Sequence, residues 1–289
     1  MAEAGKVPVT ECVGAALRFV RANLRLIATM SALGALAGTL FSAIGLFVAP
    51  LSLPAMLASG LAQAIVYAAF IRVAMGEPDL ASQRLVGDGL LVWAAMAVIG
   101  FFLFIVLTLG VFAAAIALAA GPIAPYISEL QAAGDDQEAV VAIMVRFSEE
   151  NPGALLALTA FFGGIWLLLT SRLYLAAPAS IEAKRVMVFD TWKATKGAML
   201  RICAARLLLL LPAYLLVSAL SYLFGRALGI DTMDFNAVAA AAQANPVGVL
   251  GYTLGASFVT LAAYSSFEAG LSAYLYQGLK PAQPASTDS

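Results

Sequence analysis

The chain has 289 residues, of which 62% are hydrophobic and 11% are charged, and its mean hydropathy is +0.93. A soluble domain carries about 25% charged residues, so this composition excludes a water-soluble globular protein. The formal net charge of −1 is uninformative, because the distribution of charges matters more than their sum. The chain has no histidine, which removes the commonest general base and metal ligand.

Long stretches with few or no charges run along most of the chain, and each can supply the roughly 20 apolar residues that a helix needs to cross a membrane. In chain order, we predict spans at about residues 26–48, 53–75, 90–120, 152–173, 202–223 and 246–275. The third span is long for a hydrocarbon core of about 30 Å, so we expect it to tilt or to project beyond the lipid. The sequence therefore predicts an all-α, polytopic integral membrane protein with six transmembrane helices, forming one domain over residues 1–289.

The positions of lysine and arginine indicate the orientation, because basic residues are retained on the cytoplasmic side of a membrane. With the N-terminus inside, fourteen of the 16 basic residues fall on the cytoplasmic side, and the exceptions are Arg146 and Arg226. The loop between the third and fourth spans is instead rich in aspartate and glutamate. We therefore expect both termini in the cytoplasm.

Two cytoplasmic segments, at about residues 10–25 and 180–199, have the spacing of amphipathic helices. Each carries an apolar stripe with basic residues beside it, which favours a position in the headgroup layer with the cations near anionic lipid. The alternative is that the segments cap the helix bundle. The candidate contacts to lipid headgroups are Arg18, Arg21, Arg25, Lys184, Arg185, Lys193 and Lys196.

The stretch that links the fourth and fifth spans has a distinctive pattern. An arginine closes the fourth span, and a proline, an acidic residue, a Thr-Trp pair and a Thr-Lys-Gly step follow before the next span. These residues are Arg172, Pro178, Glu182, Trp192, Lys196 and Gly197.

This pattern resembles the six-span membrane domain that is fused to some glycerophosphodiester phosphodiesterases, and the stand-alone bacterial relatives of that domain. The resemblance implies the fold and a place in the bacterial cytoplasmic (inner) membrane. It does not imply hydrolysis, because the chain ends at Ser289 a few residues after the sixth span.

Glu268 is the outstanding candidate for a functional residue, because it lies inside the sixth span. An ionisable group there costs at least about 2–3 kcal/mol and usually faces protein or water. It continues a polar stripe at helical spacing, formed by Thr253, Ser257, Thr260, Tyr264 and Glu268.

Two interpretations of this stripe stay open. In one, it is a hydrophilic seam in which Glu268 binds a proton or a cation. In the other, Glu268 lies near the cytoplasmic interface and pairs with a basic residue such as Arg172 or Arg72, while the hydroxyl groups bond to the backbone or to neighbouring helices.

Small residues at GxxxG spacing occur twice, at Gly34 and Gly38 in the first span and at Gly251 and Gly255 in the sixth. Missing side chains let two helices approach closely. The pattern fits either packing within the chain or a dimer interface.

No catalytic motif stands out in the sequence, and we predict no catalytic residue, no cofactor and no metal site. The leading hypothesis is a non-catalytic inner-membrane module that organises or assists partners or lipids through its amphipathic helices. The alternative is a transporter of a small solute, an ion or a lipid through the seam at Glu268. Membrane lipids are the expected partners, together with another membrane protein or a second copy of this chain, and nucleic acid is not expected.

Overall fold

A computed structural model describes residues 8–77, 79–230 and 235–279, so both ends of the predicted domain lie outside the described residues. The structure is 87% helical and the described residues contain no β-strand, which confirms the all-α class. Six helical segments are long and apolar enough to cross a membrane, as predicted. They are Leu24–Phe47, Ala49–Ala74, Gln83–Ala119, Pro152–Ala183, Met199–Ala227 and Pro246–Leu279.

The described residues form thirteen α-helices. They are α1 (Val9–Ala22), α2 (Leu24–Phe47), α3 (Ser52–Ala74), α4 (Ser82–Ala119), α5 (Ile127–Ala133), α6 (Gln137–Glu150), α7 (Pro152–Arg172), α8 (Ala176–Ala183), α9 (Asp190–Ala194), α10 (Met199–Ala227), α11 (Phe235–Ala244), α12 (Pro246–Val259) and α13 (Ser266–Leu279). A π-helical turn at Thr260–Ser265 joins α12 to α13 without a break in the span.

The outer surfaces of the spans are apolar. Leu40, Phe101, Ile116 and Leu156 are each about two-thirds exposed or more. Exposing apolar area to water costs roughly 25 cal/mol per Å², whereas lipid tails accept it. The surface therefore fits a bilayer, and the chain is a multi-pass membrane protein.

The chain divides into two compact units, one formed by residues 1–97 and 171–289 and the other by residues 98–170. Helix α4, with 38 residues, contributes to both units. Its length is about 57 Å at 1.5 Å per residue, well beyond the hydrocarbon thickness.

The second unit contains α5 and α6, which lie between its two long helices in the chain. Asp136 caps α6 by accepting hydrogen bonds from the backbone N–H groups of Glu138 and Ala139. Phe147, from the apolar stripe of α6, is buried edge-on against the ring of Tyr126, with the ring centroids 5.7 Å apart. An ion pair between Arg146 and Glu129 joins α6 to α5 on the exposed side.

In the first unit, the small residues of α2 allow close packing on its neighbours. A Cβ atom at Gly34 would lie 2.6 Å from a methyl group of Val66 in α3, and a Cβ at Gly38 would lie 3.2 Å from Ser59. The GxxxG pattern of the first span therefore serves packing within the chain. In the sixth span, Gly255 faces the ring of Phe224, while Gly251 faces open space.

Helix α1 packs against α13 and α10, so it caps one end of the first unit. Ala16 and Phe19 contact the bare backbone of Gly270. The spacing of the segment at residues 10–25 places Val13, Leu17, Val20, Leu24 and Ile27 on one apolar stripe. Of these, Leu17 and Leu24 are exposed. The stripe predicted the buried positions of α1 only in part, because the packed face turns toward Ala16 and Phe19.

The segment at residues 180–199 is two short helices, α8 and α9, where we expected one amphipathic helix. The side chain of Ser180 accepts a hydrogen bond from the backbone N–H of Met187, which diverts the chain from a helical path. Lys184 ends α8 in the left-handed conformation, with φ at 53°. Ile181, Val188 and Thr195, which the spacing places on one face, are buried, as the alternative of a segment that caps the bundle expects.

Candidate functional site

The buried charged residues of the described chain are Arg72, Asp88 and Arg206, and all three belong to the first unit. A buried charge is strongly unfavourable unless it is paired and hydrogen-bonded. Two polar clusters surround these charges. We call them the Asp88 cluster (Arg72, Glu77, Asp88 and Lys184) and the Arg206 cluster (Tyr67, Ser171, Tyr174, Cys203, Arg206, Tyr264 and Glu268).

Asp88 uses both of its carboxylate oxygens to hold cations from other elements. Its Oδ2 accepts a 2.7 Å hydrogen bond from Nη1 of Arg72, in the last turn of α3. Its Oδ1 accepts a 2.9 Å hydrogen bond from Nζ of Lys184, just after α8. A single carboxylate of α4 therefore ties the ends of two other helices together.

The Asp88 cluster forms one wall of a surface cavity of about 450 Å³. Nη2 of Arg72 reaches the exposed carboxylate of Glu77 at 3.3 Å. Arg84 also faces the cavity and makes an exposed ion pair with Asp79 at 3.1 Å. The lining residues are Arg72, Glu77, Arg84, Gly87, Asp88, Leu91 and Lys184.

The Arg206 cluster lies where the ends of several spans meet. Nη1 of Arg206 donates a 2.7 Å hydrogen bond to Oγ of Ser171, and the guanidinium lies 4.7 Å from the ring centroid of Tyr174. Sγ of Cys203 contacts the same serine oxygen at 3.2 Å. Arg206 also interacts electrostatically with Glu268 of α13. The helices α7, α10 and α13 thus contribute to one polar group.

Tyrosine side chains surround this group. The hydroxyl of Tyr174 donates to the backbone carbonyl of Glu268 across 3.2 Å. Tyr67, from α3, is hydrogen-bonded to Ser272 and interacts electrostatically with Glu268 and Tyr264. The arrangement can hold a proton or orient a small polar molecule, since it combines a carboxylate with hydroxyl and guanidinium donors.

The π-helical turn determines which residues of the predicted seam reach the Arg206 cluster. Such turns are rare and occur frequently at functional sites. Tyr264, in the turn, and Glu268, just after it, reach the cluster. Thr253 and Thr260 instead donate to the backbone carbonyls four residues before them, at 2.9 and 2.8 Å, and Ser257 is half-buried. This bonding of the hydroxyl groups to the backbone is what the second interpretation of the stripe expects.

Glu268 lies beside a basic residue, as one interpretation expects, but this residue is neither Arg72 nor Arg172. Arg72 belongs to Asp88, and the guanidinium of Arg172 lies 5.6 Å from the ring centroid of Trp192. The cation beside Glu268 is Arg206. It lies four residues inside the fifth predicted span, so the rule that singled out Glu268 could have found it as well.

Most residues of the pattern between the fourth and fifth spans stabilise the local structure. Pro178 is buried in α8, Glu182 is hydrogen-bonded to Tyr276, and Lys196 is exposed. Gly197 has φ at +90°, a conformation that favours glycine. The backbone carbonyl of Arg172 accepts a 3.1 Å hydrogen bond from Thr195. The pattern therefore builds the connection between α7 and α10.

The candidate headgroup contacts are all on the surface of the first unit. Lys184 forms an ion pair with Asp88, and its side chain is 60% exposed. The other exposed members are Arg18, Arg21, Arg25, Arg185, Lys193 and Lys196.

In the described part of the chain, no three His, Cys, Asp or Glu side chains form a group that could hold a metal ion. Comparison of the chain with protein-family models, with curated proteins and with solved structures finds no significant match. The resemblance of residues 171–202 to a phosphodiesterase-associated membrane domain therefore stays a prediction, and function is argued from the geometry above.

Proposed function

We propose that the protein is a non-catalytic module of the bacterial cytoplasmic membrane, whose basic end binds anionic lipid headgroups and so organises lipids or partner proteins. In this proposal the basic end faces the cytoplasm, as the distribution of lysine and arginine predicts.

The observation that carries this proposal is an excess of exposed positive charge on and beside α1, α8, α9 and the starts of α2, α4 and α10. Among the described residues at this end, exposed cations outnumber exposed carboxylates. The cations are Arg18, Arg21, Arg25, Arg84, Lys184, Arg185, Lys193, Lys196 and Arg201, and the carboxylates are Glu11, Glu77, Asp79, Glu182 and Asp190.

The short helices that carry these charges are held by packing rather than left mobile. Val13 and Ala16 of α1 share a buried cluster with Ile202 of α10 and Leu271 of α13. Ile181 of α8 packs with Phe70 of α3 in a second buried cluster. A rigid basic surface binds anionic headgroups without the entropic cost of ordering a loop.

The test measures how much anionic lipid the protein retains. The full chain is placed in nanodiscs of mixed phosphatidylglycerol and phosphatidylcholine, and native mass spectrometry gives the ratio of the two lipids that stay bound. Each juxtamembrane cation contributes about 1 kcal/mol, so Arg21→Gln should lower the preference for phosphatidylglycerol by about fivefold.

The matched control is Arg226→Gln, which removes one exposed cation at the other end of α10, where Arg226 lies over the ring of Tyr222. This variant leaves the basic end intact, so it should lower the preference for phosphatidylglycerol less than Arg21→Gln does. An equal loss in both variants, or no loss with Arg18, Arg21 and Arg25 all replaced by glutamine, would contradict the proposal.

A second candidate is transport, which is favoured by the placement of Glu268 beside a π turn and among Arg206, Tyr264 and Tyr67. Glu268→Gln keeps the side-chain shape and should leave folding nearly intact. If the Arg206 cluster carries protons or small cations, this variant should abolish their flux into reconstituted vesicles. Unchanged flux would reject that role.

A further inference from the structure

We propose that the cavity beside the Asp88 cluster binds a phosphate group, either in the headgroup of an anionic lipid or as a soluble phosphate. This inference deepens the proposed function, because it gives the basic end one defined binding site in addition to a diffuse positive surface. It rests on the cavity and its charges and can fail separately.

The guanidinium of Arg72 supplies the central argument. Arg72 is only 3% exposed, its Nη1 is taken by Asp88, and its Nη2 contacts Glu77 at 3.3 Å. Its Nε is buried and has no hydrogen-bond partner. Nε and Nη2 lie on one edge of the planar group, and two phosphate oxygens accept both N–H groups of such an edge in parallel.

One face of α4 lines the cavity. Arg84, Gly87, Asp88 and Leu91 line it at positions i, i+3, i+4 and i+7, so they lie on the same side of the helix. Gly87 has open space where a Cβ would stand.

The charges of the cavity select an anion over a metal cation. Both oxygens of Asp88 already accept hydrogen bonds from cations, so this carboxylate is not available as a metal ligand. Lys184 and Arg84 keep exposed cationic groups at the rim. The pair between Arg84 and Asp79 is exposed and therefore weak, so the guanidinium of Arg84 can turn toward a ligand.

Glu77 occupies the place that we assign to the phosphate. Its exposed carboxylate contacts Nη2 of Arg72, as a phosphate oxygen would. A bound phosphate has to displace this carboxylate. Replacing Glu77 with glutamine therefore removes a competitor and should strengthen binding, whereas loss of a rim cation should weaken it.

Two arms of one experiment distinguish the sources of the phosphate. In the first, isothermal titration calorimetry follows inorganic phosphate added to the full chain in detergent. In the second, native mass spectrometry measures phosphatidic acid retained in nanodiscs against phosphatidylcholine. Glu77→Gln should tighten binding, and Arg84→Gln and Lys184→Gln should each weaken it. We expect each change in affinity to be about tenfold, because each variant gains or loses one charged hydrogen bond to the phosphate. Arg226→Gln is the control and should change neither affinity.

The outcomes separate this inference from the proposed function. Response to the variants in both arms shows a phosphate site open to either source, and response in the lipid arm alone assigns the site to a lipid headgroup. If Glu77→Gln and Arg84→Gln change neither affinity while Arg21→Gln still lowers lipid retention, the cavity site is overturned and the proposed function stands. If the cavity variants respond and Arg21→Gln does not, the site stands and the diffuse basic surface is rejected.

Discussion

Arg206 and Ser171 are 35 residues apart in the sequence, yet Nη1 of the arginine donates a 2.7 Å hydrogen bond to the hydroxyl oxygen of the serine. This contact joins the first turns of α10 to the last turn of α7. It gives a buried guanidinium an uncharged acceptor beside the aromatic face of Tyr174. The polar interior of the first unit is thus built from contacts between groups far apart in the sequence.

Replacing Ser171 with alanine should destabilise the protein by about 1–2 kcal/mol. The change removes an acceptor from a buried guanidinium and from the thiol of Cys203, and such losses have about this magnitude. Thermal unfolding in a mild detergent measures the change.

The variant Thr29→Ala is the control, because the exposed Thr29 hydroxyl donates to the backbone of its own helix. It should stay within about 0.5 kcal/mol of the wild type. Equal stability of the two variants would show that the contact between Arg206 and Ser171 contributes nothing.

Asp88→Asn should be much more damaging, with a loss of about 3–5 kcal/mol in the free energy of unfolding. The substitution removes the charge that compensates the buried guanidinium of Arg72, and breaking a buried pair from one side has this cost. Chemical denaturation in detergent gives the value.

Asp79→Asn serves as the comparison, since it disrupts an ion pair with Arg84 in which both side chains are more than half exposed. Exposed pairs contribute at most about 1 kcal/mol. A small effect at both positions would mean that Asp88 does not compensate Arg72 in the folded protein.

Gly34→Ala should lower stability by about 1–3 kcal/mol, because the new methyl group would overlap Val66 and force α2 away from α3. Gly251→Ala should be neutral or slightly stabilising, since open space surrounds that position and alanine favours a helix by about 1 kcal/mol.

Thermal unfolding of both variants compares the two GxxxG patterns directly. If Gly34→Ala unfolds like the wild type, the close contact of α2 with α3 is not needed. A loss at Gly251 that depends on protein concentration would instead point to a dimer interface.

The hydroxyl of Tyr126 should titrate above the ordinary value for tyrosine of about 10. It donates a hydrogen bond to the carboxylate of Glu150, which is the main reason that its pKa is raised, and burial adds to the effect. The folded state binds this proton more tightly than the unfolded state, so the stabilisation is present below about pH 10 and is lost as the pH rises through the raised pKa.

The difference in ultraviolet absorbance between the wild type and Tyr126→Phe isolates the tyrosinate of this residue during an alkaline titration. Ionisation at or below the pH at which free tyrosine ionises would show that the contact with Glu150 is absent. Glu150→Gln replaces the carboxylate with an uncharged and weaker acceptor, so it should lower the titration midpoint toward that of free tyrosine.

The sequence by itself determined the all-α class and the number of spans, because long apolar stretches in a membrane must form helices that satisfy their own backbone hydrogen bonds. It also singled out Glu268, since a charge within a span is unfavourable unless it meets protein or water. These inferences depend only on the composition of short stretches of sequence.

Only the tertiary structure decided which charges meet. Arg206 and Glu268 are both visible as charges within spans, but their proximity depends on how α10 and α13 pack. The two cations on Asp88 come from α3 and from the end of α8, 16 and 96 residues away. Pairing across such separations depends on how each helix is rotated about its axis and on the π turn at Thr260–Ser265. Side-chain packing sets the rotation of the helices. The periodicity of a single helix cannot specify it.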